Sequence, residues 1–161
     1  VFNSSVPGDT VAPWSWWLNF TIANSSVVLV DGAKRDRLIW PGDMRIITPS
    51  AFVSTNDLDS VANSVDNLFS LQNSSGMLPY AGIPFKSQYS ATYHLYNLIA
   101  VADYYRYTNN LSYVQNKWTA WKKGLNFSLN FIDDSGMMNV TSSADWLRFG
   151  QGGHNIEVSG R

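Results

Sequence analysis

The stretch Asp31-Gly-Ala-Lys34-Arg35-Asp36-Arg37-Leu-Ile-Trp40-Pro-Gly-Asp43 gathers three carboxylates, three basic groups and one indole within thirteen residues. Carboxylates at such spacing fit the needs of glycoside hydrolysis. One acid must protonate the leaving oxygen, and a second carboxylate must serve water or the anomeric carbon. An acid among like charges and partly desolvated by an indole holds its proton toward neutrality, because both effects disfavour the anion. Asp36 lies between Arg35 and Arg37, which pull the other way, so residue types alone leave its protonation state open. Trp40 has the flat apolar face that stacks on a sugar ring, and Asp31 and Asp43 are acceptors for sugar hydroxyls. The competing reading of the same residues is a solvated loop with local ion pairs.

A second stretch is Ser143-Ala-Asp145-Trp146-Leu-Arg-Phe-Gly150-Gln-Gly-Gly-His154, again a carboxylate beside an indole. The rest of the composition narrows the chemistry. The chain of 161 residues has eleven Asp and one Glu, Glu157, so a carboxylate pair inside it leans on Asp. Two histidines, His94 and His154, and no cysteine leave no thiolate site, no disulfide and no His-rich metal site. A net charge of −1 gives no electrostatic case for nucleic acid or an anionic membrane surface. Asn-X-Ser/Thr occurs at Asn3, Asn19, Asn24, Asn73, Asn110, Asn126 and Asn139, which reads as a secreted, extracellular glycoprotein with N-glycans at some of these positions.

The elements that must position these residues are mostly helical. Val27 to Val30 is a short apolar run that delivers the chain to Asp31 as a strand or a helix end. A helix is predicted within 42–54, with Pro49 inside or bounding it. Asn56 and Asp57 offer a cap for a helix in which Val61, Val65, Leu68 and Phe69 recur at one face. Ala91, Leu95, Leu98, Ile99 and Ala102 predict a helix ending near Thr108-Asn109. Asn110 caps another, with Val114, Trp118, Trp121, Leu125 and Leu129 along one side. The connection between these two is so short that they must be antiparallel neighbours. Ser75-Gly-Met77 and Ser135-Gly-Met137 follow helices at the same phase, sixty residues apart, as repeated α-hairpins would. The segments 73–89 and 133–153 are then loops at one end of a helical barrel, where a sugar site is built. Trp14, Trp16 and Trp17 read as core or as an interface to another domain.

The first stretch resembles the acidic signature of the α-L-rhamnosidases of glycoside hydrolase family 78: an Asp, a basic stretch, an acid followed by Arg, then Trp-X-Gly-Asp. The spacing of Asp36, Trp40 and Asp43 matches. The Asp145-Trp146 stretch, roughly a hundred residues on, resembles the later loop that opens on the sugar pocket. The wording of the first, Asp31-Gly-Ala-Lys-Arg-Asp36-Arg followed by Trp40-Pro-Gly-Asp43-Met, is most similar to the fungal secreted branch. The resemblance implies Asp36 as general acid and Asp31, Arg35, Trp40, Asp43, Asp145 and Trp146 as substrate-binding residues. The family acid is commonly Glu, so Asp36 is one methylene short. Tyr89, Tyr93 and Tyr96 lie where the family places aromatics near substrate, with packing as the other reading of Tyr93 and Tyr96.

The resemblance further implies an all-α fold, a partial (α/α)6 toroid of helical hairpins with short β elements in the loops. Residues 1–161 would form a single partial catalytic domain whose remaining hairpins and upstream β-sandwich domains lie elsewhere. The implied activity is inverting hydrolysis of terminal α-L-rhamnosides by the intact parent, with no metal or cofactor, a carbohydrate as the only partner apart from glycans, and a fragment that is inactive alone. The general base would be a Glu outside this chain, and Glu157 is not expected to replace it. Rival readings are another six-hairpin glycosidase and a non-catalytic carbohydrate-binding remnant.

Overall fold

A computed structural model of the chain describes residues 2–3, 22–23, 27–32, 38–140, 152–154 and 156–160. The architecture is mostly helical. The order is β1 (Phe2–Asn3), β2 (Val27–Val28), α1 (Pro41–Ser54), α2 (Leu58–Ser70), a 3-10 turn (Ile83–Phe85), α3 (Ala91–Thr108), α4 (Leu111–Leu129), β3 (Asn139–Val140), β4 (Gly153–His154) and α5 (Ile156–Ser159). β1 pairs antiparallel with β2, and β3 with β4. The apolar run before Asp31 is thus a strand for two of its residues.

Three helices start where a capping side chain sits. Asp57 accepts from the Ser60 N–H, Ser90 from the Tyr93 N–H and Asn110 from the Tyr113 N–H, each satisfying a donor that the helix itself cannot. α1 starts instead on Pro41, whose fixed φ suits the first helical position, and it runs through Pro49. α3 ends on Asn109, which takes the left-handed conformation at φ 53° and turns the chain straight into α4.

Contacts between helices fix their directions. Gly42 meets Tyr93, and ten residues later Phe52 meets Tyr104, so α1 and α3 run the same way. Asp66 takes the Tyr113 hydroxyl, and Gln72 donates to the Ala120 carbonyl, so α2 and α4 also run together. The result is two α-hairpins stacked in the same sense, with α3 packed against α1, α2 and α4. This explains why α3 is buried nearly all round, at Thr92, His94, Asn97 and Asp103 as well as at its leucines. α4 is an outer helix. Val114, Trp121 and Leu125 pack on the core, but Trp118 and Leu129, which the periodicity placed on the same face, are 47% and 48% exposed.

The Ser-Gly-Met repeat is one turn used twice. Asn73 accepts from the Ser75 hydroxyl and N–H and closes onto Met77, and Asp133 does the same with Ser135 and Met137. Gly76 and Gly136 supply the positive φ, 102° and 75°. At Gly76 a methyl group would also lie 2.5 Å from the Lys123 carbonyl oxygen. Gly76→Ala therefore combines backbone strain with a backbone clash, and a loss on the order of 2 kcal/mol is expected in urea unfolding. Gly136→Ala meets no neighbour and should cost less.

Candidate active site

Both turns bring the chain to the end where α1 and α3 begin. The segment after Gly76 is laid across α3 by three contacts. The Leu78 N–H donates to His94 Nδ1 at 3.0 Å, Asn97 donates to the Pro79 carbonyl at 3.2 Å, and Tyr80 stacks on Tyr93 at 4.8 Å between centroids. His94 is completely buried and bridges on to the Gly124 carbonyl at 3.0 Å through Nε2. Burial pushes its pKa down to about 4, so the ring is neutral, with Nδ1 as acceptor and Nε2–H as donor.

The acidic stretch enters from the other side. The Asp31 carboxylate accepts from the Leu38 N–H at 3.2 Å, and the Asp31 N–H donates to the Leu38 carbonyl at 3.2 Å. Asp31 and Leu38 thereby bracket the sequence positions of Arg35 and Asp36. Those two residues, and Asp145 and Trp146, lie outside the described residues. Asp43 is exposed in the first turn of α1, where a carboxylate suits the helix dipole.

Trp40 differs from the reading as a stacking platform. It is 4% exposed, edge-on to Tyr80 at 5.3 Å and Tyr93 at 6.1 Å and tilted on Phe85 at 5.6 Å. Packed so, the indole supports the rings around the site and offers a ligand little of its face. The physical reason is that Trp40 belongs to a buried cluster with Leu38, Tyr80, Ala81 and Tyr93, against which Phe85 packs. Tyr93 is likewise buried, as the packing reading had it, yet it also borders an open cavity.

That cavity, about 260 Å³, lies between the starts of α1 and α3 and is lined by Gly42, Asp43, Arg45, Ile46, Tyr93 and Tyr96. The missing side chain of Gly42 makes the approach possible, since a methyl there would sit 2.6 Å from the Tyr93 ring. Arg45 is not part of the sequence signature. Its Nη1 donates to Asp103 Oδ2 at 2.9 Å, and the Asp103 side chain is only 6% exposed. The one signal for it in the sequence is an acid, Asp103, in an otherwise apolar turn of α3.

His154, in the Gly-rich turn, is exposed on β4 and bonded through Nε2 to Asp133 Oδ2 at 2.6 Å. Ser135 and His154 hold the Asp133 carboxyl well below the usual carboxylate range. The side chain of Glu157 lies outside the described residues. Among the described residues no three His, Asp or Glu side chains cluster as metal ligands do.

Residues 12–159 match the model of the bacterial alpha-L-rhamnosidase 6-hairpin glycosidase domain. The chain belongs to this family. A rhamnosidase from Klebsiella oxytoca with rhamnose bound has a similar fold, at TM-score 0.62 and 21% identity over 74% of this chain and 24% of that one. A glycoside hydrolase family 78 rhamnosidase of Bacillus sp. GL1 is similar at TM-score 0.65 and 21% identity, over 71% of this chain and 12% of that one. The chain therefore spans less than a quarter of the length of either structure. No curated protein matches it. The glycosidase family match covers both motif stretches, and the two stacked hairpins are part of the six-hairpin helical fold.

Proposed function

We propose that the chain supplies the acid side of the sugar site in a secreted α-L-rhamnosidase of the fungal type, as one partial catalytic domain spanning residues 1–161. The observation that carries the reading is the family match across residues 12–159, which includes the acidic stretch, whose last member Asp43 lines the cavity with Tyr93 and Tyr96. In this reading Asp36 protonates the glycosidic oxygen as the bond to the anomeric carbon breaks. A Glu outside the chain takes a proton from water attacking the opposite face, so the configuration inverts. Asp31, Arg35, Asp43, Asp145 and Trp146 hold the sugar, and Trp40 acts on it through the rings it supports. The chain by itself lacks the base and turns over no substrate. N-glycans occupy some of Asn3, Asn19, Asn24, Asn73, Asn110, Asn126 and Asn139. Asn73, Asn110, Asn126 and Asn139 are on exposed surface, but Ser128 of the Asn126 sequon is buried.

The test is a panel of aryl glycosides offered to the protein encoded by the complete gene, with the released sugar followed by proton NMR. Preferential cleavage of the α-L-rhamnoside with β-L-rhamnose as first product is expected. Cleavage of another sugar would remove the substrate assignment, and an α-anomer as first product would remove inversion. A folded protein that binds rhamnose and cleaves nothing on the panel would replace the hydrolase reading with a binding remnant.

A further inference from the structure

The cavity between the starts of α1 and α3 contains a charged group that the acidic signature does not include. Gly42, Arg45 and Ile46 stand at helical spacings of three and four, so they share the face of α1 that looks toward Tyr93 and Tyr96 on α3. Asp103 explains why Arg45 stays there. A carboxylate exposed by only 6% is costly without a cation, and Arg45 Nη1 at 2.9 Å meets that need, with Arg106 more distant at 3.8 Å. The Arg45 side chain nevertheless remains 40% exposed, and it borders the cavity. A guanidinium has five N–H donors in a rigid fork. Asp103 is its hydrogen-bond partner among the described residues, which leaves donors for a ligand.

We propose that Arg45, clamped by Asp103, is a specificity-determining residue that donates to ring hydroxyls of a single neutral sugar held beside Asp43. This rests on the rhamnosidase reading and deepens it. The volume, about 260 Å³, is just below the roughly 300 Å³ at which small-molecule sites begin, and suits one ring rather than an oligosaccharide. The charges favour a neutral ligand. Arg45, the one cation among the described residues that line the cavity, is already matched by Asp103, so nothing on that wall calls for the charge of a phosphate or uronate. Asp43 accepts, Arg45 donates, and Tyr96 with Ile46 offers the apolar contact that a deoxy sugar presents. Asp103 is a positioning residue, acting only through Arg45.

Calorimetric titration of the full chain with L-rhamnose, L-mannose and D-glucuronate tests this, using Arg45→Gln, Arg45→Lys, Asp103→Asn and Asp43→Asn. Arg45→Gln should weaken rhamnose binding about 10–100-fold, the range for losing hydrogen bonds from a charged donor, measured well below a thermal midpoint that falls because Asp103 loses its nearest cation. Arg45→Lys should recover part of the loss, and Asp103→Asn should weaken binding less than Arg45→Gln does. If Arg45→Gln binds rhamnose like the parent while Asp43→Asn does not, the Arg45 assignment is overturned and the rhamnose reading survives. If the parent binds L-mannose but not L-rhamnose, with the same dependence on Arg45, the rhamnose reading fails and the assignment holds. Tighter binding of glucuronate than of either neutral sugar overturns the neutral-ligand inference, and binding of none of the three overturns the assignment together with the sugar site.

Discussion

In the protein encoded by the complete gene, Asp36→Asn is expected to lower the hydrolysis of an α-L-rhamnoside with an alkyl aglycone by ~10²–10⁴-fold, the size of a general acid's contribution, with KM changed far less. The amide keeps the shape of the carboxyl but has no proton to give the departing oxygen. The dependence on leaving group is the sharper signature. Nitrophenolate departs without much help, so the loss on an aryl rhamnoside should be distinctly smaller than on the alkyl one. In the parent, kcat/KM should fall on the alkaline side as the acid loses its proton, and that limb should vanish in Asp36→Asn. Asp36→Glu restores the side-chain length common in the family and should retain turnover. Equal losses on both leaving groups, or an unchanged alkaline limb, would assign the proton to a different residue.

The sequence carried much of the fold because local signals and packing agree at the caps. Asp57 and Asn110 both cap the helices that periodicity had placed, and Asn109 ends α3 where the pattern ends. The Ser-Gly-Met repeat was short but physically exact in its consequence, since only a residue free to adopt positive φ closes that turn. Faces were less legible. α3 touches three helices, so its polar Thr92, Asn97 and Asp103 are buried and no single apolar stripe marks its inner side. On α4 the stripe overstates the core, because an outer helix uses Val114, Trp121 and Leu125 for packing and leaves Trp118 at the surface. Type and spacing singled out Asp31 and Asp43 but not Arg45, whose place on the cavity wall is fixed by a carboxylate 58 residues away. Trp40 shows the opposite limit, since residue type cannot say whether an indole faces a ligand or three other rings.

Acidification should destabilise the protein through His94 by about 3 kcal/mol between pH 6.5 and pH 4. An unfolded histidine binds a proton as pH falls through about 6.5. Folded His94 resists until about 4, because burial excludes the charge, only partly opposed by its bond to the Gly124 carbonyl. The unfolded chain therefore holds more protons throughout this window, and stability drops as pH falls. Urea unfolding at neutral pH and at about pH 4.5 should show the loss, while His94→Gln, destabilised at neutral pH, should show a shallower pH dependence. The variant is needed because Asp133, held in its charged form by Ser135 and His154, also titrates on the acid side, at lower pH. Equal slopes in parent and variant would rule out His94 as the source. The loss should also reach the cavity. His94 Nδ1 holds the Leu78 N–H, two residues before the Tyr80 that stacks on Tyr93. A proton on Nδ1 would face that N–H and release the segment that backs the cavity wall. Sugar affinity in the parent should accordingly fall as the pH passes through about 4, where the folded ring takes up its proton, and much less in His94→Gln.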